Sequence, residues 1–412
     1  MSERASNNQH KELDYFRHRP LSLTRDQFRL IKITLDGPNG SVLCNVRHFD
    51  RADKDAYRFY TALSYTWGDL EAANPVYMQH TNLDEEAIPA PFTVTRNLAN
   101  VLRHIIDAGR SEPERKRWKG WWWIDALCII QTQYDPEKDR QIKRMPATHS
   151  DAAEVYAWIG PSTAGTDMTM CHIDERFHAP SSTRTERKLR RKESWRKFPE
   201  FGYFVGLVFN RPYWRRLWII QELCMCSKTT VACGLGEVSL QALYDYANGV
   251  VTMEPEKLAS ISLEGAYDHV MKTGAVIKLA MTYRRQNSSM SLANLIDRSR
   301  HSVCGMDKKD YIRALLGLVG RGQGLHIDAS QHQCPCSIIT AAMQAMTQDI
   351  DPQCTHDTDL KSWCEENIRK VDLITATTSN HTGTYCDSYE EILSMCRGIA
   401  LLICTNSYCE CI

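Results

Sequence analysis

The sequence predicts an α/β protein, a mainly parallel sheet flanked by helices with an additional, mostly helical region after it. Three observations carry that prediction. Short apolar runs closed by glycine alternate with stretches whose apolar residues recur at helical spacing. One run, Trp121 to Ile130, is apolar almost throughout, the pattern of a central strand buried on both faces. From Leu240 to Leu318 the pattern is mostly helical, and beyond Arg321 periodicity fades.

The elements follow in order. Residues 1–54 read as an N-terminal extension, whose polar start, Met1 to Asp14, lacks the basic stub and apolar run of a secretory signal. Tyr60 to Tyr65 alternates and is rich in β-prone types, so it predicts a strand ending in the turn Trp67-Gly68-Asp69. Leu98, Val101, Leu102, Ile105 and Ile106 predict an amphipathic helix capped by Thr95 and ending before Gly109. A solvated basic stretch (Arg115, Lys116, Arg117, Lys119) leads into the Trp121 to Ile130 strand, interrupted only by Asp125. A helix from about Asp139 should be kinked, or start late, because Pro146 falls inside it. Ala153 to Gly160 reads as a short buried strand closed by Gly160-Pro161. Strands and helices alternating in this way imply right-handed crossovers.

Residues 183–197 are dense in arginine and lysine without apolar periodicity, which predicts an exposed insertion. Phe201 to Phe209 predicts a helix, Arg211-Pro212 a break, and Tyr213 to Cys226 one further helix with Pro212 near its first turn. Thr229 to Cys233 reads as a strand before Gly234.

Composition narrows the function. Across 412 residues, 50 lysines and arginines balance 50 aspartates and glutamates, so no field favours a nucleic acid partner, and binding must be local. No run reaches the roughly 18 to 20 apolar residues of a membrane span. The expectation is a soluble, cytoplasmic chain in which most of the 16 cysteines stay reduced. Nine of those 16 lie beyond residue 330, in a tail (321–412) that shows no clear domain pattern. There Cys334, Cys336, Cys409, Cys411, His332 and His356 lack the two-residue gap usual in paired ligands, so no metal is assigned. Cys128 with His149 would suit a thiol nucleophile and its base, but Cys128 sits in an apolar run where an inert thiol is expected. No GxxxxGK[ST] loop is present.

Three separated segments, Ala62-Leu-Ser-Tyr-Thr-Trp-Gly-Asp69, Trp123-Ile-Asp-Ala-Leu-Cys-Ile-Ile-Gln131 and Arg216-Leu-Trp-Ile-Ile-Gln-Glu-Leu223, together resemble the heterokaryon incompatibility (HET) family of fungi. Val94 to Leu98, Asp139 to Ile142 and Asp310 to Gly317 add to the resemblance, while Ile130 and His149 depart from it. The resemblance implies a HET domain over residues 55–235 and a helical continuation over 236–320. HET domains are similar in arrangement to TIR domains, so a TIR-like, flavodoxin-like sheet is implied.

Some TIR domains cleave the nicotinamide glycosidic bond of NAD with a glutamate four positions after a tryptophan. Trp218 and Glu222 have that spacing, which implies Glu222 as the catalytic residue, NAD as substrate, and no resident cofactor. The chemistry is sound by itself: breaking that bond creates positive charge on the ribose, which a nearby carboxylate stabilises. Asp69 and Asp125 would lie near strand ends where ligands collect. Tyr65, Trp67 and Trp218 could border the cleft, and Gln131, Arg140 and Arg216 could meet phosphate or ribose. Each also has a bland alternative: capping, core packing or surface pairing.

Two functional readings stay open. In one, a cell-death effector depletes NAD once copies assemble into a homo-oligomer under an upstream incompatibility partner. In the other, a signalling module kills through protein contacts alone.

Overall fold

The computed structural model describes residues 15–22, 24–57, 59–68, 74–81, 88–132, 135–178, 201–259, 264–286, 290, 292–299 and 309–319. The tail, the basic insertion and Asp69 lie outside the described residues. Two compact units share the chain: the first holds the residues up to Leu63 together with Trp67–Gln131, the second Ser64–Thr66 together with the residues from Thr132 onward.

In the first unit the strands are β1 (Gln27–Thr34), β2 (Leu43–Asp50), β3 (Tyr60–Tyr65), β4 (Asn74–His80), β5 (Ala90–Val94) and β6 (Trp121–Trp123), in the order β5-β4-β2-β1-β6-β3. The stretch read as an extension therefore supplies two strands, paired antiparallel from Gln27↔Asp50 to Thr34↔Leu43. Pairings β2·β4 and β3·β6 are parallel; β1·β6 and β4·β5 are antiparallel. Short helices are α1 (Lys54–Tyr57), α3 (Lys116–Lys119) and α4 (Asp125–Cys128), and the long one is α2 (Arg96–Ser111).

The predicted amphipathic helix is α2, with Thr95 Oγ1 accepting from the Leu98 amide at 3.3 Å and Leu98, Val101, Leu102 and Ile105 buried. It runs past Gly109, which lets the helix approach the Trp118 side chain: a Cβ there would meet that of Trp118 at 3.1 Å. The Trp121 to Ile130 run is a strand for three residues only and then turns into α4. Asp125 causes the change, since its Oδ1 accepts from the Ala126 amide at 2.7 Å while the Leu127 and Cys128 amides bond to the Ile124 carbonyl. A buried helical turn and a buried strand are alike in being apolar, so the run is buried in either form.

The second unit contains β7 (Glu154–Gly160), parallel to β8 (Thr229–Cys233), which forms a hairpin with β9 (Gly236–Ser239). Its helices are α5 (Pro136–Asp151), α6 (Ala164–His178), α7 (Phe201–Phe209), α8 (Trp218–Met225), α9 (Leu240–Val251), α10 (Pro255–Ala259), α11 (Glu264–Arg285), α12 (Leu292–Ser299) and α13 (Lys309–Leu316). Strand β7 is buried along its whole length, and Gly160 closes it at φ 123°, a conformation open to glycine. Helix α5 begins at Pro136 and continues through Pro146 to Asp151, so the expected late start is not found. Helix α11 packs against α7, α8 and α9, and α8 packs against α5 and α13, around a core that includes Val208, Phe209, Ile219, Ile220, Leu223, Tyr246, Ile277 and Leu315. Gly317 is required where the chain after α13 passes the side chains of Gln221 and Pro146, because a Cβ there would overlap both.

The architecture is α/β, mixed-sheet strands flanked by helices. Among the described residues no helix is long and apolar enough to cross a membrane.

Candidate functional site

The expected single helix from Tyr213 to Cys226 is divided. A 3-10 turn, Pro212–Arg215, ends where Arg216 adopts extended backbone (φ −72°, ψ 133°), and α8 begins at Trp218. That break frees the Arg216 side chain to donate from Nη1 to the Tyr65 carbonyl at the end of β3. Ser64, one residue earlier, donates a short hydrogen bond to Glu222 Oε2, and its Oγ lies 2.7 Å from the Tyr213 hydroxyl. With Ser64 donating to the carboxylate, Tyr213 donates to Ser64. All five residues belong to the second unit.

This network is enclosed. Ser64 is 1% exposed, Tyr213 1% and Glu222 4%. Burial raises the Glu222 pKa above the ordinary carboxylate range, against the pull of the Arg216 charge and the Ser64 hydrogen bond. Burial, helped by the neighbouring Glu222, also raises the Tyr213 phenol. Arg215 bonds instead to Asn210 Oδ1 at 2.5 Å, and no ion pair with Glu222 joins either arginine among the described residues. Trp218 is half-buried against the core of its unit, and Arg140 is half-buried on α5.

In the first unit Trp67 Nε1 donates to Asp125 Oδ2 at 2.7 Å. Gln131 Nε2 donates to the carbonyls of Asp125 (3.2 Å) and Ile129 (3.0 Å), so this exposed side chain ties down the end of the turn. The segment Ala62 to Gly68 thus serves both units: Ser64 and Tyr65 join Arg216 and Glu222, while Trp67 joins Asp125. Asp69 is outside the described residues.

Ser64 and Tyr213 were absent from the sequence-based candidates. A partial signal existed for Ser64: it is one of four hydroxyl-bearing residues, with Tyr60, Thr61 and Tyr65, in a strand buried at every position, and an enclosed hydroxyl requires a partner. Nothing local marks Tyr213. Cys128 is no nucleophile, since burial pushes its thiol up to about 12. Among the described residues no group of three histidine, cysteine or acidic side chains could hold a metal ion.

Fold and site define an α/β protein built around an enclosed glutamate that is held by a serine from a neighbouring strand end. Residues 60–222 match the family profile described as Heterokaryon incompatibility protein (HET), a match that starts at the first residue of β3 and ends on Glu222. The chain carries a HET domain. It is also similar to Heterokaryon incompatibility protein 6, OR allele, of Neurospora crassa, at 27% identity over 70% of this chain and 47% of the relative. The chain therefore spans about half the length of that curated relative. No solved structure matches it.

Proposed function

We propose that this protein acts in fungal heterokaryon incompatibility as an effector of regulated cell death that works through protein contacts, with Glu222 organising its own domain. The family match and the name of the Neurospora crassa relative support the incompatibility role. A cytoplasmic location and assembly of copies belong to the same proposal.

The enclosure of Glu222 carries the finer reading. A carboxylate that stabilises a ribosyl cation has to stand beside the anomeric carbon and keep its charge. Glu222 is 4% exposed, its Oε2 is occupied by Ser64, and burial favours its neutral form. Those features suit a residue that fixes α8 to the end of β3 better than one that meets NAD.

The test incubates the purified full chain, at high concentration, with NAD and follows nicotinamide release, while cell death is scored on expression. The expected result is no release from the native chain and undiminished killing by Glu222→Gln, which keeps a hydrogen-bond acceptor for Ser64. Nicotinamide release by the native chain that disappears in Glu222→Gln overturns the contact-only reading and returns Glu222 to NAD cleavage.

A further inference from the structure

Residues 16–21 precede β1 and lie outside the stretch that matches the family profile, yet they are fastened to the first unit at three points. The Phe16 amide donates to the Pro91 carbonyl in β5 (3.0 Å), the Arg19 amide donates to His80 Nε2 at the end of β4 (3.1 Å), and the Arg19 carbonyl accepts from Nη2 of Arg29 in β1 (2.7 Å). Rings complete the attachment. Phe16 stacks on His80 with centroids 4.9 Å apart and meets Phe92 edge-on, while His18 lies edge-on to Phe16 (5.2 Å) and His80 (6.4 Å).

Beneath this strap lies a cluster of basic groups. His48 on β2 pairs in register with the fully buried Arg29, and its ring lies edge-on to His80 at 5.7 Å. Both ring nitrogens of His18, and Nε2 of His48, are enclosed without a partner among the described residues. The charges that act on the three rings are those of Arg29, Arg19 and one another. Nearby acids are engaged elsewhere: Asp50 on β2 accepts from the Ala52 amide, and Asp125 from Trp67 and the Ala126 amide. Lys32 and Arg47 lie over Trp121 and Phe49, β5 carries no ionisable side chain, and the charged side chains of α2, which packs on β4, are exposed. Cys128, whose carbonyl accepts from Arg29 Nη1, is a neutral thiol.

The His80 ring has two alternatives. Its Nε2 lies 3.1 Å from the Arg19 amide and 3.4 Å from the Arg17 carbonyl. Unprotonated, that nitrogen accepts from Arg19; protonated, it can only donate, which leaves the Arg17 carbonyl as its partner and the Arg19 amide without one. A proton therefore breaks one of the three fastenings and adds positive charge beside Arg29.

We infer that residues 16–21 form an acid-released strap, detached from β4 and β5 when His80 and its neighbours His18 and His48 take up protons. Burial sets the sign. It lowers all three rings below the ordinary value of 6.5, so they hold the strap above that value, and their contribution is lost as pH falls from 6.5 through the lowered ones. Detachment uncovers Phe92 and the Pro91 carbonyl on β5, an end strand of its sheet.

Hydrogen exchange of the full chain at pH 7 and pH 5, read by peptide and corrected for the intrinsic pH dependence of exchange, tests the strap. The peptide spanning residues 16–21 should exchange on the order of 100-fold faster at pH 5, while α2 keeps its protection. His80→Gln offers Arg19 an amide oxygen at either pH, and should cut the acceleration roughly 10-fold. His18→Phe keeps the ring packing without a titrating group and should cut it by a similar factor. His104→Gln, which removes an equally buried ring from α2, should leave it unchanged. Equal protection of the strap at both pH values, loss of α2 protection in step with it, an acceleration undiminished in both His80→Gln and His18→Phe, or one cut as much by His104→Gln overturns the assignment.

Discussion

Asp125 in the first unit and Glu222 in the second are carboxylates from two of the three segments that resemble the family, yet their surroundings are opposite. Asp125 stands half-buried at the start of a helical turn, with Trp67 on one oxygen and its neighbour's amide on the other. Glu222 is enclosed, joined to Ser64 and through it to Tyr213, with the Arg216 charge nearby. The difference teaches that a carboxylate at a strand end can be a local cap, whereas one on a helix beneath that end is a tertiary fastener. The largest expected effect follows from it. Glu222→Ala removes an acceptor from an enclosed hydroxyl pair, and should destabilise the protein by about 3 kcal/mol. Glu222→Gln, which retains an acceptor, should lose about 1 kcal/mol. Urea unfolding followed by circular dichroism measures both, and equal losses would show that the hydrogen bond contributes nothing.

The units also contrast in pH response. Around the fully buried Arg29 of the first unit stand His18, His48 and His80; burial first, and Arg29 next for the first two, lower His18 to about 3 and His48 to about 4. His80 is lowered as well, and its Nε2 accepts from the Arg19 amide at 3.1 Å. Groups with depressed folded pKa stabilise above the ordinary histidine value of 6.5 and lose that contribution as pH falls toward 4 and 3. Glu222 has the reverse sign: its folded pKa is raised, so its contribution is full below the ordinary value and is lost as pH rises through the raised one. Hydrogen exchange should therefore show the Arg19 amide losing protection between pH 7 and pH 5, with the loss reduced in His48→Gln. Glu222→Gln should instead flatten the decline in stability as pH rises above the ordinary carboxylate value. Slopes of the same sign in the two units would break the comparison.

What the sequence made legible was whatever depends on neighbours along the chain. Helix α2 and strand β7 are signalled by periodicity, a capping threonine and a closing glycine, and both are found. The break at Arg216 has no such signature, because it rests on a bond to Tyr65, 151 positions away. Strands β1 and β2 were hidden for a related reason: Arg29 occupies a fully buried position, held by the carbonyls of Cys128 and Arg19, so the run around it does not read as core. Pro146 misled about where its helix begins, since α5 starts at Pro136. The site was half legible: the motifs located Glu222, Arg216, Trp67 and Asp125, but spacing says nothing about burial, and burial decides what Glu222 can do.

The smallest effect is expected at Asp125. Its oxygens satisfy the Trp67 indole and the Ala126 amide, and asparagine keeps one acceptor oxygen for these two donors. Asp125→Asn should therefore destabilise by about 1 kcal/mol, and Trp67→Phe, which deletes the indole donor, should show a coupling of about 1 kcal/mol with it in a double-mutant cycle. Because the turn is half-exposed, water can replace the lost partner, which holds the loss below that of Glu222→Ala. A loss at Asp125 exceeding that of Glu222→Ala would reverse the assignment of cap and fastener.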